Sequence, residues 1–572
     1  MSEPGDRAPK YRSKKEPPSL PSAEGHGDVP TRAGVESSLL PGSMSSARSH
    51  MSLARESGDL GGASLRAAST AGGRQGREGD KQQAALQSSE ESDALVVPKK
   101  PTKTRVTPVE PVEGRGTAKG KSAARNAHPA QDGKGALTYL QWIGKRAKEK
   151  PKEKFTNLLG HIKVPLLKEA YQRLRKDAAS GVDGVTWAEY GEHLDARLLD
   201  LQDRVHRGTY HPQPVRRVHI PKGDGRTRPL GIPALEDKVV QQAARMVLEP
   251  VYEAMFVGFS YGFRPGKSQH HALDALAVAI GRKVSWVLDA DIRSFFDTID
   301  HGWMQKFLEH RIGDSRMVRL LMKWMRAGVM EDDGLHEVRE GSPQGAVISP
   351  LLSNIYLHYV IDLWACQWRK RQARGEMYVV RYADDLVMAF QHGQDAHAMR
   401  SALAERLTEF GLELHPDKTR VLEFGRFARE NRARRGLSKP ETFDFLGFAH
   451  IVGQDRRGMF QLLRRTSRKK RRAKLVALKG ECHRRRHWKM ADQHAWLSSV
   501  LRDHYQYYGV PTNADALSSF RQVVITLWHR SLQRRSQRAV MTRAKLRRLD
   551  ERFPLPPPRI VHPWPERRFA TR

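Results

Sequence analysis

Two adjacent carboxylates stand inside a stretch that otherwise has the composition of paired, buried β-strands. The segment VVRYADDLVMAF, residues 379–390, places Asp384 and Asp385 between two runs of Val, Tyr, Leu and Met. Like charges this close raise each other's pKa unless a cation lies between them. A second pair, Asp332 and Asp333, stands beside Glu and Gly and indicates a solvated turn. The first pair instead predicts a hairpin with both carboxylates at its tip, where a divalent cation such as Mg²⁺ finds the oxygen ligands it prefers.

A third carboxylate is expected from the segment WVLDADIRSFFDTIDH, which offers Asp289, Asp291, Asp297 and Asp300. Asp291 ends an apolar strand and alternates with Asp289, whereas Asp297 and Asp300 are typical of caps around the helix that follows. An Asp at a strand end, facing the hairpin pair, is the arrangement that bridges two Mg²⁺ ions in phosphoryl-transfer sites. The two acidic segments together predict a two-metal site.

The charge of the chain predicts a polyanionic partner. Lys and Arg number 99 against 64 Asp and Glu, a net charge of +35, which points to nucleic acid. A membrane partner is not expected, because the sequence has no apolar run of membrane-spanning length and no signal-peptide core at its start. The two cysteines, Cys366 and Cys482, exclude a disulfide framework and a zinc ribbon, so a reducing intracellular setting is expected.

The composition divides the chain into four regions. Residues 1–134 form a basic, low-complexity extension that is expected to be disordered, because it has too few apolar residues to offset its ordering entropy. Two interpretations of it remain open, a tether for RNA or a stretch upstream of the native translation start. Residues 135–455 mix strand and helix patterns, which indicates an α+β fold, and two short strand patterns joined through Asp224 and Gly225 predict a hairpin within it. Residues 456–540 are basic and helical, and 541–572 form a basic, Pro-rich tail.

Several blocks resemble one protein family. YADD is similar to the signature of reverse transcriptases, and four further blocks are similar, in order, to those of group II intron reverse transcriptases: RRVHIPKGDGRTRPLGIP, SYGFRPGKSQHHAL, EGSPQGAVISPLLSNIYLHYVID and GLELHPDKTRVLEF. The segment LRDHYQYYGVPTNADALSSFRQVVITLWHRSLQRRSQ resembles their RNA-binding maturase domain. The resemblance implies a right-hand polymerase, with fingers and palm in 135–455 and an appended α-helical thumb and maturase domain in 456–540.

The resemblance also implies roles for individual residues. Asp291, Asp384 and Asp385 take the positions of the catalytic ligands to two Mg²⁺ ions. Phe296 takes the position of the ring that rejects a ribose 2′-hydroxyl, with ordinary core packing as the alternative. The full set implied for nucleotide binding is Arg216, Lys222, Arg228, Phe296, Gln344 and Lys418.

RNA binding is expected in the basic segment that opens the helical region. The candidates are Arg468, Lys469, Lys470, Arg471 and Arg472. Aromatic residues interleave with cations further along, and two interpretations remain open for them, stacking on unpaired bases or packing in a helical core. These aromatics are Trp488, Trp496, Tyr505, Tyr507, Tyr508 and Trp528.

The function that the resemblance implies is that of an RNA-directed DNA polymerase encoded by a group II intron. Its expected partners are intron RNA, an RNA template with a DNA primer, dNTPs and target DNA, and its expected location is the bacterial cytoplasm, at the nucleoid when bound to target DNA. The alternatives are a host-adopted reverse transcriptase, in phage defence or beside a CRISPR system, and a splicing-only maturase. Many relatives carry a C-terminal HNH endonuclease. Too few residues follow LQRRSQ for such a domain, so priming from an existing 3′-hydroxyl is expected.

Overall fold

The computed structural model describes residues 133–221, 227–331, 334–336, 341, 345–535 and 541–569, all within the second of two compact units, residues 73–572. The N-terminal extension, except for its last two residues, lies outside the described residues. So does the Asp332–Asp333 pair. Among the described residues, no helix is both long and apolar enough to cross a membrane.

The secondary structure mixes helices and strands along most of the described chain. The strands are β1 Val215–Pro221, β2 Thr227–Ile232, β3 Trp286–Ala290, β4 Val329–Glu331, β5 Gly334–His336, β6 Met377–Tyr382, β7 Asp385–Phe390, β8 Arg420–Glu423, β9 Phe443–Phe445, β10 Phe448–Gln454 and β11 Phe460–Thr466. The helices are α1 Gly133–Glu149, α2 Val164–Arg173, α3 Trp187–Gly191, α4 Leu194–Arg207, α5 Leu235–Glu253, α6 Gln269–Ile280, α7 His301–Arg311, α8 Ser315–Met325, α9 Ser349–Leu357, α10 Leu363–Arg371, α11 Gly393–Thr408, α12 Ala428–Arg434, α13 Arg468–Arg484, α14 Met490–Tyr508, α15 Ala514–Gln533, α16 Arg543–Arg552 and α17 Pro565–Phe569.

A four-stranded antiparallel sheet, in the order β6-β7-β3-β8, forms the centre of the fold. Both of its faces are covered by apolar side chains. Leu288 and Met388 belong to one buried cluster, and Val287 and Val387 belong to a second cluster on the other face. Successive side chains of a strand point to opposite faces. Asp289 therefore lies on the same face of β3 as Val287.

A second sheet, in the order β2-β1-β4-β5, contains the hairpin that the sequence predicts around Asp224 and Gly225. β1 and β2 pair in antiparallel register from Arg216 and Ile232 to Pro221 and Thr227. The connecting residues 222–226 lie outside the described residues.

The third sheet, in the order β11-β10-β9, differs from the sequence analysis. Residues 456–540 were expected to be helical, yet β11 forms within them and pairs in antiparallel register with β10 along its whole length. The helix begins only at Arg468, where the dense run of cations starts. The strand could not be predicted because its sequence, FQLLRRT, is part of a basic region and does not alternate regularly between apolar and polar residues.

Helices α13, α14 and α15 form a helical module, residues 468–533, with its own buried cluster. Phe520 and Trp528 of α15 lie at its centre, each no more than 1 % exposed, against Leu497 and Leu501 of α14. The Trp528 indole Nε1 donates a hydrogen bond to Gln493 Oε1 at 3.0 Å. The module is therefore held together by apolar packing between its helices.

The segment after α16, residues 553–564, follows the surface of the helical module and reaches α6. Leu555 is buried in the module's cluster, and the Tyr505 hydroxyl donates to the Pro556 carbonyl at 3.1 Å. Further on, the His562 ring stacks on the His270 ring of α6, with centroids 3.6 Å apart. The region that the sequence suggested as a Pro-rich tail thus packs against both the helical module and α6.

Candidate functional site

The hairpin around the two adjacent aspartates is present. β6 and β7 pair from Met377 and Phe390 to Tyr382 and Asp385, which leaves Ala383 and Asp384 as a two-residue turn. Ala383 has a φ of 56°. Primed turns, whose first central residue has a positive φ, match the twist of the flanking strands. The side chains of Asp384 and Asp385 are half-buried and exposed respectively, so both lie at the surface of the sheet end.

Asp291 directly follows β3 and is held by the segment that leads into β8. The Asp291 carbonyl accepts a hydrogen bond from the His415 amide at 2.8 Å. The Lys418 ammonium forms an ion pair with Asp291 Oδ2. Lys418, one of the residues implied for nucleotide binding, therefore contacts one of the three candidate metal ligands. Asp300 caps α7 as expected, with its Oδ1 accepting from the Trp303 amide at 2.6 Å.

The carboxylates of β3 and β7 line one cavity of about 510 Å³, here named the acidic cleft. Its charged lining residues are Asp289, Asp291, Asp385, Asp417, Lys418, Arg420, Asp444 and Lys469. The pKa of Asp385 is raised to about 7. Although this side chain reaches solvent, the surrounding protein removes part of its hydration, and the charges of Asp384, Asp291 and Asp289 add to the rise. The other three carboxylates are thus close enough for their charges to act on Asp385.

Asp289 shows a pKa shift in the same direction as Asp385. Its pKa is raised to about 6, first by burial and then by the charge of Asp291, although Arg420 opposes the rise from 3.7 Å. Within the described chain, no three Asp, Glu, His or Cys side chains are already gathered as a metal cluster. The donor chemistry nevertheless fits a hard divalent cation, because the cleft supplies carboxylate oxygens whose mutual repulsion a cation relieves.

The residues predicted to bind the nucleotide are described only in part. Lys222 and Gln344 lie outside the described residues, and of Arg228 only the backbone is described, paired with Ile220. The Arg216 guanidinium donates from Nη2 to the Ser180 carbonyl at 2.6 Å. Its Nε is buried without a hydrogen-bond partner among the described residues. Its role in nucleotide binding stays a prediction.

Phe296 lies in a short 3₁₀ helix, Phe295–Asp297, directly after β3 and Asp291. Its side chain is 9 % exposed and meets the Phe295 ring edge-on, with centroids 5.3 Å apart. This position fits either interpretation of Phe296, because the ring packs in the core and lies only five residues after Asp291, which lines the acidic cleft.

The predicted RNA-binding residues form the first turns of α13. Four of them, Arg468, Lys469, Lys470 and Arg472, are exposed, whereas Arg471 is half-buried and reaches Ser519. Lys469 lines the acidic cleft, and the charge of Lys470 lowers the pKa of Asp385. The start of α13 therefore faces the carboxylates across the cleft.

The six aromatic residues named for this region differ in burial: two are buried, one is exposed, and Trp496, Tyr507 and Tyr508 are half-buried. Trp528 and Tyr505 are buried, so the hypothesis that they stack on bases is wrong for these two. Trp488 is 45 % exposed, and the Arg485 guanidinium lies 4.6 Å from its ring centroid. The spacing of these residues in the sequence could not separate buried rings from exposed ones, because both kinds occur among cations.

One group was missed by the sequence analysis. Arg381, inside β6, and Asp362, in a π-helical segment between α9 and α10, form a completely buried ion pair under the hairpin. The sequence offers one signal for this pair, a single Arg within an apolar strand. The alternation of strand residues, however, predicts that this Arg lies on a solvated face.

Comparison with known proteins identifies the family. Residues 220–450 match the family described as reverse transcriptase (RNA-dependent DNA polymerase). Protein YkfC of Escherichia coli is 38 % identical over 274 residues, which cover 42 % of this chain and 71 % of that protein. The group II intron-encoded protein LtrA of Lactococcus lactis is 36 % identical over 227 residues, 39 % of this chain and 38 % of LtrA.

A fungal protein shows the same similarity. An uncharacterized 91 kDa protein in the cob intron of Schizosaccharomyces pombe is 32 % identical over 234 residues, 39 % of this chain and 28 % of that protein. The matched region of this chain thus spans well under half the length of both intron proteins. The matched domain has the palm-and-fingers fold of polymerases, and the mixed sheets and helices described above agree with it. The chain therefore belongs to the reverse transcriptase family, among the members that group II introns encode.

Proposed function

We propose that the chain is an RNA-directed DNA polymerase that binds its group II intron RNA, assists its splicing and copies it into DNA for intron mobility. The observation that carries the proposal is the acidic cleft, where Asp291 and Asp385 meet within a family whose reaction is nucleotide transfer. The substrates are an RNA template with a DNA primer and dNTPs, at a target DNA in the bacterial cytoplasm and nucleoid. Extension of a DNA primer on an RNA template by the purified protein tests the polymerase part.

Asp291, Asp384 and Asp385 are the residues that would hold two Mg²⁺ ions. When bound, such ions activate the primer 3′-hydroxyl and stabilise the leaving pyrophosphate. The chain itself supplies position and charge. The backbone contact from His415 and the ion pair with Lys418 hold Asp291 in place. Phosphoryl transfer requires mainly such positioning and electrostatic stabilisation from a protein.

We propose that the helical module serves as the thumb and maturase domain. Its first turns, rich in Lys and Arg, lie across the acidic cleft from the carboxylates, where a template–primer duplex has to pass. Cations at this place neutralise backbone phosphates without reading sequence. The same surface suits intron RNA, whose phosphates present the same charge.

Replacing the five cations of residues 468–472 with Gln should flatten the dependence of RNA affinity on salt. Each phosphate contact that is lost reduces the slope of log K against log salt by about 0.7 to 0.9, because fewer counterions are released on binding. Filter binding across a salt series measures the slope. A matched control removes five exposed cations of α16, namely Arg543, Lys545, Arg547, Arg548 and Arg552. Equal slopes for the two variants would show that residues 468–472 are a solvated surface with no special role in RNA binding.

Phe296→Val should weaken the discrimination against ribonucleotides by about 10-fold or more, because a smaller side chain leaves room for a 2′-hydroxyl. The ratio of kcat/KM for a dNTP to that for the matching rNTP measures the effect. Phe295→Val is the control, because Phe295 is equally apolar, deeper in the core at 2 % exposure and adjacent in sequence. If both variants change the ratio alike, or neither does, Phe296 is a packing residue only.

A further inference from the structure

The guanidinium of Arg381 is completely buried beneath the Ala383–Asp384 turn, and each of its five N–H groups has an acceptor. Nε and Nη2 donate to the two carboxylate oxygens of Asp362 at 2.7 and 2.6 Å. Nη2 also donates to Ser260 Oγ at 2.8 Å, and Nη1 donates to Asn354 Oδ1 at 3.0 Å. The fifth acceptor is the Ala383 carbonyl, 3.0 Å from Nη1. A guanidinium has five N–H donors, so its donor capacity is used in full.

The Ala383 carbonyl belongs to the peptide unit that joins Ala383 to Asp384. Ala383 holds a positive φ of 56°, which an L-residue rarely adopts. The bond from Arg381 therefore fixes the orientation of the one peptide unit that leads directly into the aspartate pair. Strained backbone of this kind persists only where the surroundings over-determine it.

A second contact holds the same turn from the neighbouring loop. The backbone of Gly262 approaches so closely that a Cβ there would stand 2.2 Å from the Ala383 nitrogen. The Gly262 carbonyl accepts a hydrogen bond from Asn354 Nδ2 at 2.7 Å. Asn354 thus links Gly262 to Arg381, so both peptide units around Ala383 are fixed by one buried network.

Asp362, the acidic member of the ion pair with Arg381, lies in an irregular helical segment. Asp362 ends the π-helical segment His358–Asp362, which interrupts the run from α9 to α10. π-Helical turns inside helices are frequently found at functional sites. A buried ion pair stabilises a fold little compared with apolar residues of the same volume. Positioning of the turn is a better reason for placing one here than stability.

We propose that Arg381, held by Asp362, is a positioning residue that sets the direction of the Asp384 and Asp385 carboxylates through the Ala383–Asp384 peptide. The inference rests on the proposed function of the acidic cleft. Neither Arg381 nor Asp362 lines that cleft. Their effect on nucleotide transfer is therefore indirect and acts through the conformation of the turn.

Arg381→Lys tests the proposal, because lysine keeps the charge but has three N–H donors instead of five and lacks the planar guanidinium that grips Asp362 on one edge and the Ala383 carbonyl on the other. The matched control is Arg464→Lys, since Arg464 and Asp274 form another buried ion pair, 2.6 Å long and at most 3 % exposed, between β11 and α6. Arg381→Lys should lower kcat on the order of 100-fold, the loss expected from a misplacement of about 1 Å. KM for dNTP and the primer–template Kd should stay within about 3-fold, and Arg464→Lys should keep kcat within the same range.

Two further readouts do not depend on turnover. Mn²⁺ binding followed by electron paramagnetic resonance should weaken about 10-fold in Arg381→Lys, since supporting contacts of metal ligands have effects of this size. Amide hydrogen exchange of the peptide 379–390 should become faster in that variant and stay unchanged in Arg464→Lys. Equal changes in both variants, or none in Arg381→Lys, would overturn the proposal.

Ser260→Ala is the second variant, in case Arg381→Lys does not fold. It removes one of the five acceptors and should give smaller changes of the same kind in kcat, Mn²⁺ affinity and hydrogen exchange. Unchanged values in a folded Ser260→Ala protein would also overturn the proposal. If the wild-type protein extends no primer, the proposed polymerase function fails, and the Mn²⁺ and exchange comparisons still decide whether Arg381 positions the turn.

Discussion

Asp384→Asn should abolish primer extension on an RNA template, with a loss of about 10³-fold, the upper range for removal of one contact to the transition state. Asn keeps the size and most hydrogen bonds of Asp but removes the negative charge that a divalent cation requires. The side chain stands in the β6–β7 turn and carries none of the positive charge that binds phosphates, so RNA affinity should stay within about 2-fold. Extension of a labelled primer and filter binding of RNA measure the two quantities on the same preparation.

The control for this substitution is Asp300→Asn. Asp300 caps α7 through the Trp303 amide, and Asn caps a helix as well as Asp does. Extension by Asp300→Asn should therefore remain close to that of the wild-type protein. A near wild-type rate in Asp384→Asn would remove Asp384 from the candidate metal ligands. Loss of RNA binding together with extension would instead indicate a folding defect.

Trp528→Ala should lower the free energy of unfolding of the protein by about 3 to 5 kcal/mol, as expected for a large aromatic side chain lost from a core. The indole is 1 % exposed and lies at the centre of the helical module. Its removal also leaves Gln493 Oε1 without the donor that it has in the wild-type protein. Equilibrium unfolding in urea, followed by circular dichroism, measures the change.

Trp488→Ala is the matched control, because Trp488 is the same residue type in the same module but 45 % exposed. A surface substitution of this kind usually changes stability by no more than about 0.5 kcal/mol. Stability losses of equal size would contradict the division of the aromatics into buried and exposed classes. A loss of RNA affinity confined to Trp488→Ala would identify its ring as a contact for bases.

The sequence was sufficient to predict the parts of the site that are local. The hairpin formed with Asp384 in its turn, and the β1–β2 pair formed around the predicted connection, because apolar strand residues and turn residues specify both within a few positions. The cap at Asp300 was predictable for the same reason. Each of these features is decided by neighbours in the chain.

The remainder depends on contacts between distant residues. Arg381 was not recognised because its acceptors come from Ser260, Asn354 and Asp362, and no pattern around β6 indicates that a guanidinium is buried. Lys418 is 127 residues from its partner Asp291, and the pairing follows from the position of β8 beside β3. Strand β11 was missed because tertiary pairing with β10 decided its conformation against a basic composition.

The segment 553–564 has a mechanical consequence for the helical module. It leaves the helical module, passes Gly509, whose carbonyl accepts the Val561 amide at 2.8 Å, and ends against His270 of α6. The segment thereby links the helical module to α6, whose Leu273 and Leu276 pack in the same buried cluster as Val387 of β7. A link at this point restricts hinge motion of the helical module relative to the sheet that carries Asp385, so the distance between the cations of α13 and the acidic cleft varies little.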